Sequence, residues 1–329
     1  MISRRDLLAA LSLLAVAPPG TLAQQPGKVW RVGFLAQGHV DFTDADYIYG
    51  PFMQGMRELG YFEGKNLVVT WRSAEGNIER LPELAAELVR LKPDVLTTAA
   101  TAASLAAQKA TATIPIVMIS VADPIGTGLA KTLARPGGNS TGLSIMSAEL
   151  TPKRLELLRG MVPKARRVAY MVNPANAANT LALKNVQAAA QKLGVKMQPL
   201  EAGTSEQIAN AFAAMAHQNA GALIVPRDPL FIQQNRQIVE LAAKQRLPSI
   251  GSFGEHAEAG GLMSYGQNSR ENFRRAAIYI DKIFKGADPG NLPVEQPTTF
   301  ELIVNLKTAK ALGIKVPQTI LIQATKVIE

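Results

Sequence analysis

The chain has 329 residues, 47% hydrophobic and 19% charged, with a formal net charge of +9 and no cysteine. That length predicts two domains, because one hydrophobic core rarely grows so large, and the composition excludes a disordered chain. Lacking cysteine, the chain has no disulfide framework; its histidines, His39, His217 and His256, are too widely separated for a zinc site; and its Lys and Arg form no run of four, which argues against a nucleic-acid-binding stripe.

The N-terminus reads as an address. Ser3-Arg4-Arg5-Asp6-Leu7-Leu8 leads into a mostly apolar stretch over residues 7–17, followed by Pro18, Pro19 and Thr21-Leu22-Ala23. The apolar run is too short to span about 30 Å of hydrocarbon, and small residues before the cut suit signal peptidase. Residues 1–23 are therefore expected to be a signal peptide, its paired arginines resembling the twin-arginine type, cleaved after Ala23 to leave the mature protein in the periplasm. No later window reaches the roughly 18 apolar residues of a membrane helix.

From Lys28 onward, short β-branched runs alternate with longer amphipathic stretches, the pattern of parallel strands joined by crossover helices. The first half predicts a strand at 31–35, a helix to about 59 capped by Gly60, and strands at 66–72, 94–99 and 114–118. The second half repeats the order: a strand at 167–172, a helix at 179–193 capped by Gly194, and strands at 195–200, 222–226 and 247–250. Each half also carries an amphipathic helix before its third strand, through Ile78, Leu81, Leu84, Ala85 and Leu88 in one and Ile208, Ala211, Phe212 and Met215 in the other. An offset of about 130 residues is far longer than a solenoid period and implies duplicated lobes. Passages near 141–146, 260–265 and 297–305 carry the chain between them, with the helix 270–284, opened by Ser269 and closed by Gly286, assigned to the first lobe. The expected architecture is α/β, two doubly wound parallel-sheet lobes joined by three hinge crossovers. Lobe 1 is expected over residues 28–141 plus 263–297 and lobe 2 over 142–262 plus 298–329, with hinges at Gly142 and Gly261.

Ligands of open parallel sheets bind beyond the carboxyl ends of the strands, where helix N-termini and loop amides converge. Those ends nominate Gln37, Thr101, Ala102, Ser104 and Asp123 in one lobe and Asn173, Asp228 and Phe253 in the other, with Tyr265 near a crossing. The segment 101–104 opens a helix and suits a carboxylate, or is simply capped. Asp123 and Asp228 each precede proline; Asp123 reads as a helix cap and Asp228 as the partner of a ligand ammonium. Asn173 lies in a turn-forming run, and Phe253 and Tyr265 either stack on a flat ligand or pack a core. Nucleophile-elbow, phosphate-loop and zinc-protease templates are all missing, so no enzyme and no cofactor are expected.

Four separated motifs carry a family resemblance: Val121-Ala122-Asp123-Pro124-Ile125-Gly126-Thr127-Gly128-Leu129, Arg135-Pro136-Gly137-Gly138-Asn139-Ser140-Thr141-Gly142, Glu258-Ala259-Gly260-Gly261-Leu262-Met263-Ser264-Tyr265-Gly266 and Asn305-Leu306-Lys307-Thr308-Ala309-Lys310-Ala311-Leu312-Gly313. Together they resemble the ABC transporter substrate-binding family, whose members include tryptophan- and tyrosine-type binding proteins. The resemblance implies the type I periplasmic-binding-protein fold, a small molecule such as an amino acid or aromatic compound held between the lobes, and delivery by a monomer to a membrane permease and its ATPase. The family's first-lobe loop commonly reads Thr-Pro-Ala-Ala, whereas this chain has Thr101-Ala102-Ala103 without the proline. Alternatives are a ligand-sensing receptor subunit and a periplasmic enzyme.

Overall fold

The computed structural model describes residues 28–40 and 49–329. The signal-peptide segment 1–23 lies outside the described residues. Along the first lobe run β1 (Trp30–Ala36), α1 (Tyr49–Glu58), β2 (Leu67–Ser73), α2 (Leu81–Arg90), β3 (Val95–Ala99), α3 (Thr101–Ala110), β4 (Ile116–Val121) and β5 (Ser140–Ser144). The second continues with α4 (Ser147–Met161), β6 (Arg167–Val172), α5 (Ala177–Lys192), β7 (Lys196–Glu201), α6 (Ser205–His217), β8 (Ala222–Val225), α7 (Pro229–Gln233), α8 (Asn235–Lys244), β9 (Ser249–Gly251), α9 (Gly254–Glu258) and β10 (Met263–Gly266). α10 (Ser269–Phe284), β11 (Glu301–Asn305), α11 (Leu306–Leu312), α12 (Gln318–Leu321) and β12 (Lys326–Ile328) complete the chain.

The first sheet has the order β2-β1-β3-β4-β5, and the second contains the same order as β7-β6-β8-β9-β10 before adding β11 and β12. All pairs are parallel except β10 with β11, which runs back because the chain re-enters from the other lobe. Parallel strands covered on both faces must be apolar on both. In β1, Val32, Phe34 and Ala36 pack with α1 and α10 while Leu35 packs with α2 and α3; in β6, Val168, Tyr170 and Val172 face one core and Ala169 and Met171 the other.

α10 returns to the first lobe through Phe273, Ala276, Ala277, Ile280 and Phe284, spaced for one helix face. It lies so close to α1 that a Cβ on Gly55 would meet the Arg274 carbonyl oxygen at 2.2 Å. Its cap is Asn268, whose side chain accepts from the Glu271 amide, one residue earlier than Ser269.

The crossings lie later than the sequence placed two of them. β5 belongs to the first sheet through Ser144 and β10 to the second through Gly266, so the chain changes lobe after these residues rather than at 141/142 and 262/263. The third crossing follows the bridge of Glu295 to Leu143 and precedes β11. The glycines expected as hinges both sit where a side chain has no room. A Cβ on Gly142 would lie 2.1 Å from the Met118 oxygen, and one on Gly261 would lie 2.4 Å from the His256 ring.

Candidate functional site

The carboxyl ends of the two sheets face each other across a cavity of about 410 Å³. The lobes meet at its rim: a Cβ on Gly38 would be 3.5 Å from the Pro229 Cβ, and one on Gly76 would be 3.4 Å from Gln233 Oε1. The cleft is closed in this structure.

Of the predicted site residues, Gln37, Thr101, Ala102 and Asp123 line the cavity, all from the first lobe. Thr101 opens α3, and its hydroxyl accepts from the Ala122 amide at 3.2 Å, which fixes the helix start beside the end of β4. Asp123 does not cap a helix. Its Oδ1 accepts from the Gly126 amide at 2.8 Å in a tight turn, where a Cβ on residue 126 would collide with the carboxylate, and Oδ2 has no partner among the described residues.

The other five take no part in the wall. The Ser104 hydroxyl is buried and bonded to Thr98 Oγ1 at 2.7 Å and to the Ala100 carbonyl at 3.0 Å, because a Ser one turn into a helix bonds back along it. Asp228 is fully buried: it accepts from the Leu230 amide at 2.9 Å as the cap of α7, from Asn176 Nδ2 at 2.7 Å and from Asn173 Nδ2 at 3.1 Å. Burial pushes its carboxyl above the usual range, and the two asparagines and the helix amides pull the other way. Asn173 is occupied by that network and by the Ala175 amide. Phe253 is packed in the core with Phe212 and Phe231, and Tyr265 packs on the core of the second lobe and against Phe300, with ring centroids 6.1 Å apart.

Sequence reasoning placed Arg227 at the same strand end but chose Asp228 over it, and it passed over Asn176, Ser120, Ser147, Ile232 and Phe273; all six line the cavity. The signal for Arg227 was present: Asp228 before Pro229 is spent on capping the helix, which leaves its neighbour to face the cleft. Arg227 Nη1 donates to Ser269 Oγ at 2.9 Å, linking β8 to the start of α10. Among the described residues, Asp123 and Arg227 are the charged members of the wall, one from each lobe; Leu105, Ile145, Leu181, Ile232 and Phe273 supply its apolar part.

Behind the wall a second arginine braces the crossings. Arg154 is fully buried and donates to the Tyr265 carbonyl at 2.7 Å, the Ser147 carbonyl at 3.0 Å and Thr151 Oγ1 at 3.2 Å. Burial lowers its pKa to about 10, which still leaves it charged at neutral pH. It ties the first turn after one crossing to the last strand before the next.

The family described as ABC transporter substrate binding protein matches residues 39–328. The chain belongs to this family. It is 26% identical over 277 residues to the tyrosine-binding protein of Clostridioides difficile (strain R20291), covering 84% of this chain and 79% of that one. A solved structure of the ABC domain in complex with L-Trp from Streptococcus pneumonia superposes with a TM-score of 0.83 at 25% identity, covering 91% of this chain and 99% of that one. A ligand-free, open substrate binding protein from Clostridium difficile, with the same shares covered and 26% identity, superposes with 0.66. The fold is that of type I periplasmic binding proteins. The family captures solutes for ABC importers, and so does this member.

Proposed function

We propose that this ABC substrate-binding protein takes a zwitterion of amino-acid size with a bulky apolar side chain, holds it without turning it over, and presents it in the periplasm, as a monomer, to a permease and its ATPase. The observation that carries this reading is the charge of the cleft wall: among the described residues one carboxylate, Asp123, stands on the first lobe and one guanidinium, Arg227, on the second, around a cavity lined by apolar and uncharged polar side chains. A buried charge needs an opposite partner once the cleft excludes water, so a ligand with both signs suits both residues.

The ligand ammonium meets Asp123, and its carboxylate sits between Arg227 and the first amides of α3 at Thr101 and Ala102, where the helix end adds partial positive charge. The side chain fills the space among Leu105, Ile145, Ile232 and Phe273. The tyrosine named for one relative and the L-Trp bound in another agree with an aromatic amino acid. Export by the twin-arginine signal accounts for the periplasmic location.

Calorimetric titration of the purified protein with L-tryptophan, tryptamine and indole-3-propionate tests this. The expected order places L-tryptophan at least tenfold tighter than either singly charged analogue. Equal or tighter binding of an analogue contradicts the zwitterion reading.

A further inference from the structure

β4 breaks its alternation just where it reaches the cleft. Val117 and Ile119 pack in one core and Ile116 and Met118 in the other, as a strand requires, yet Val121 joins Met118. The register against β5 shifts between Ile119 and Val121, and the residue absorbed there, Ser120, has a φ of 61°. Such bulges re-aim side chains beside binding sites. Ser120 lines the cavity, and its hydroxyl is buried with no partner among the described residues.

Across the β3–β4 pair a second residue is strained. Ala100 has φ 83° and ψ 160°, a combination that belongs to glycine, and its amide donates to the Ile119 carbonyl at 3.0 Å. It too lines the cavity, immediately before the amides of α3. Two neighbouring residues with side chains in backbone that favours glycine, one of them with an unpaired hydroxyl, make this wall less stable than the fold alone demands. Strain and an unsatisfied polar group persist where a bound partner uses them.

We propose that Ser120 is a specificity-determining residue of the cleft, its hydroxyl donating to the ligand carboxylate beside the start of α3, with the strained bulge setting its position. The inference rests on the zwitterion reading above. Among the described residues of the wall, Asp123 and Arg227 are the titratable ones, and neither histidine nor lysine stands there.

The test compares the wild-type protein with Ser120→Ala and Ser120→Gly, reading the Tm without ligand and the affinities for L-tryptophan, indole-3-propionate and tryptamine. At an ordinary strand position glycine is less stable than alanine. Here the order inverts, with Ser120→Gly melting above Ser120→Ala. Both variants lose about tenfold or more in affinity for the two carboxylate ligands and keep the wild-type affinity for tryptamine. A lower Tm for the glycine variant, or carboxylate affinities within twofold of wild type, overturns the assignment of Ser120 while leaving the zwitterion reading in place. Failure of the wild-type protein to bind any of the three compounds overturns both.

Discussion

Each lobe ends a strand in an Asp-Pro pair, and the two aspartates do different work. After Asp228 the chain enters α7 at once, so the carboxylate is turned inward to cap Leu230, and Asn173 and Asn176 close over it. After Asp123, which lines the cavity, the chain makes a turn instead; one carboxylate oxygen holds the Gly126 amide, and the other has no partner among the described residues. The first lobe presents strained residues and unspent polar groups at Ala100, Ser120 and Asp123. In the second lobe Arg154, Asp228 and His256 are all bonded behind the surface that carries Arg227. A polar residue near a ligand is therefore not a ligand partner unless its hydrogen-bonding capacity is still free.

The second lobe's frame breaks first in acid. His256 is fully buried, Ser249 Oγ lies 2.8 Å from its Nε2 and Asn235 Oδ1 lies 3.0 Å from its Nδ1, a set that suits the neutral ring. Burial lowers its pKa from 6.5 to about 4. Between those values the unfolded chain binds a proton that the native ring refuses, so stability falls as pH falls through this window. The loss is about 2 to 3 kcal/mol between pH 7 and 4.5 from this residue. Urea unfolding at both pH values checks it: the wild-type protein loses more stability in acid than His256→Gln, and equal losses contradict the assignment.

Asp228→Ala sharpens the comparison with a smaller effect. It removes a helix cap and leaves two asparagine amides unpaired, which costs about 1 to 3 kcal/mol of stability. Affinity for L-tryptophan falls by less than about tenfold, through looser placement of Asn176 alone. Denaturation and calorimetry on the same variant separate the two readouts; a large loss of affinity with unchanged stability would return Asp228 to the ligand.

The duplicated strand order was legible because β-branched runs and the glycines at 60, 194 and 286 punctuate both halves, each of the three with positive φ. The crossings were harder to place. β5 (Ser-Thr-Gly-Leu-Ser) and β10 (Met-Ser-Tyr-Gly) are short and rich in small or polar residues, so they read as links although they pair within sheets. At the cleft, Thr101 and Ala102 followed from their strand end, whereas the sequence left Asp228 and Asp123 both open to a ligand ammonium and read Asp123 as the cap, because the same dipeptide opens a helix at Asp228 and a turn at Asp123. Ser120 left no trace in the pattern, since a bulge is defined by the register of its neighbour strand.

In the proposed binding mode the first lobe grips the ligand's positive end through Asp123. Calorimetric titration of Asp123→Asn with L-tryptophan and with indole-3-propionate, which lacks the ammonium, tests it most directly. The expected result is a loss of about 30-fold to several thousand-fold for L-tryptophan, equivalent to about 2 to 5 kcal/mol, with indole-3-propionate bound at least as well as by the wild-type protein. An equal loss for both ligands, or undiminished binding of L-tryptophan, would contradict it.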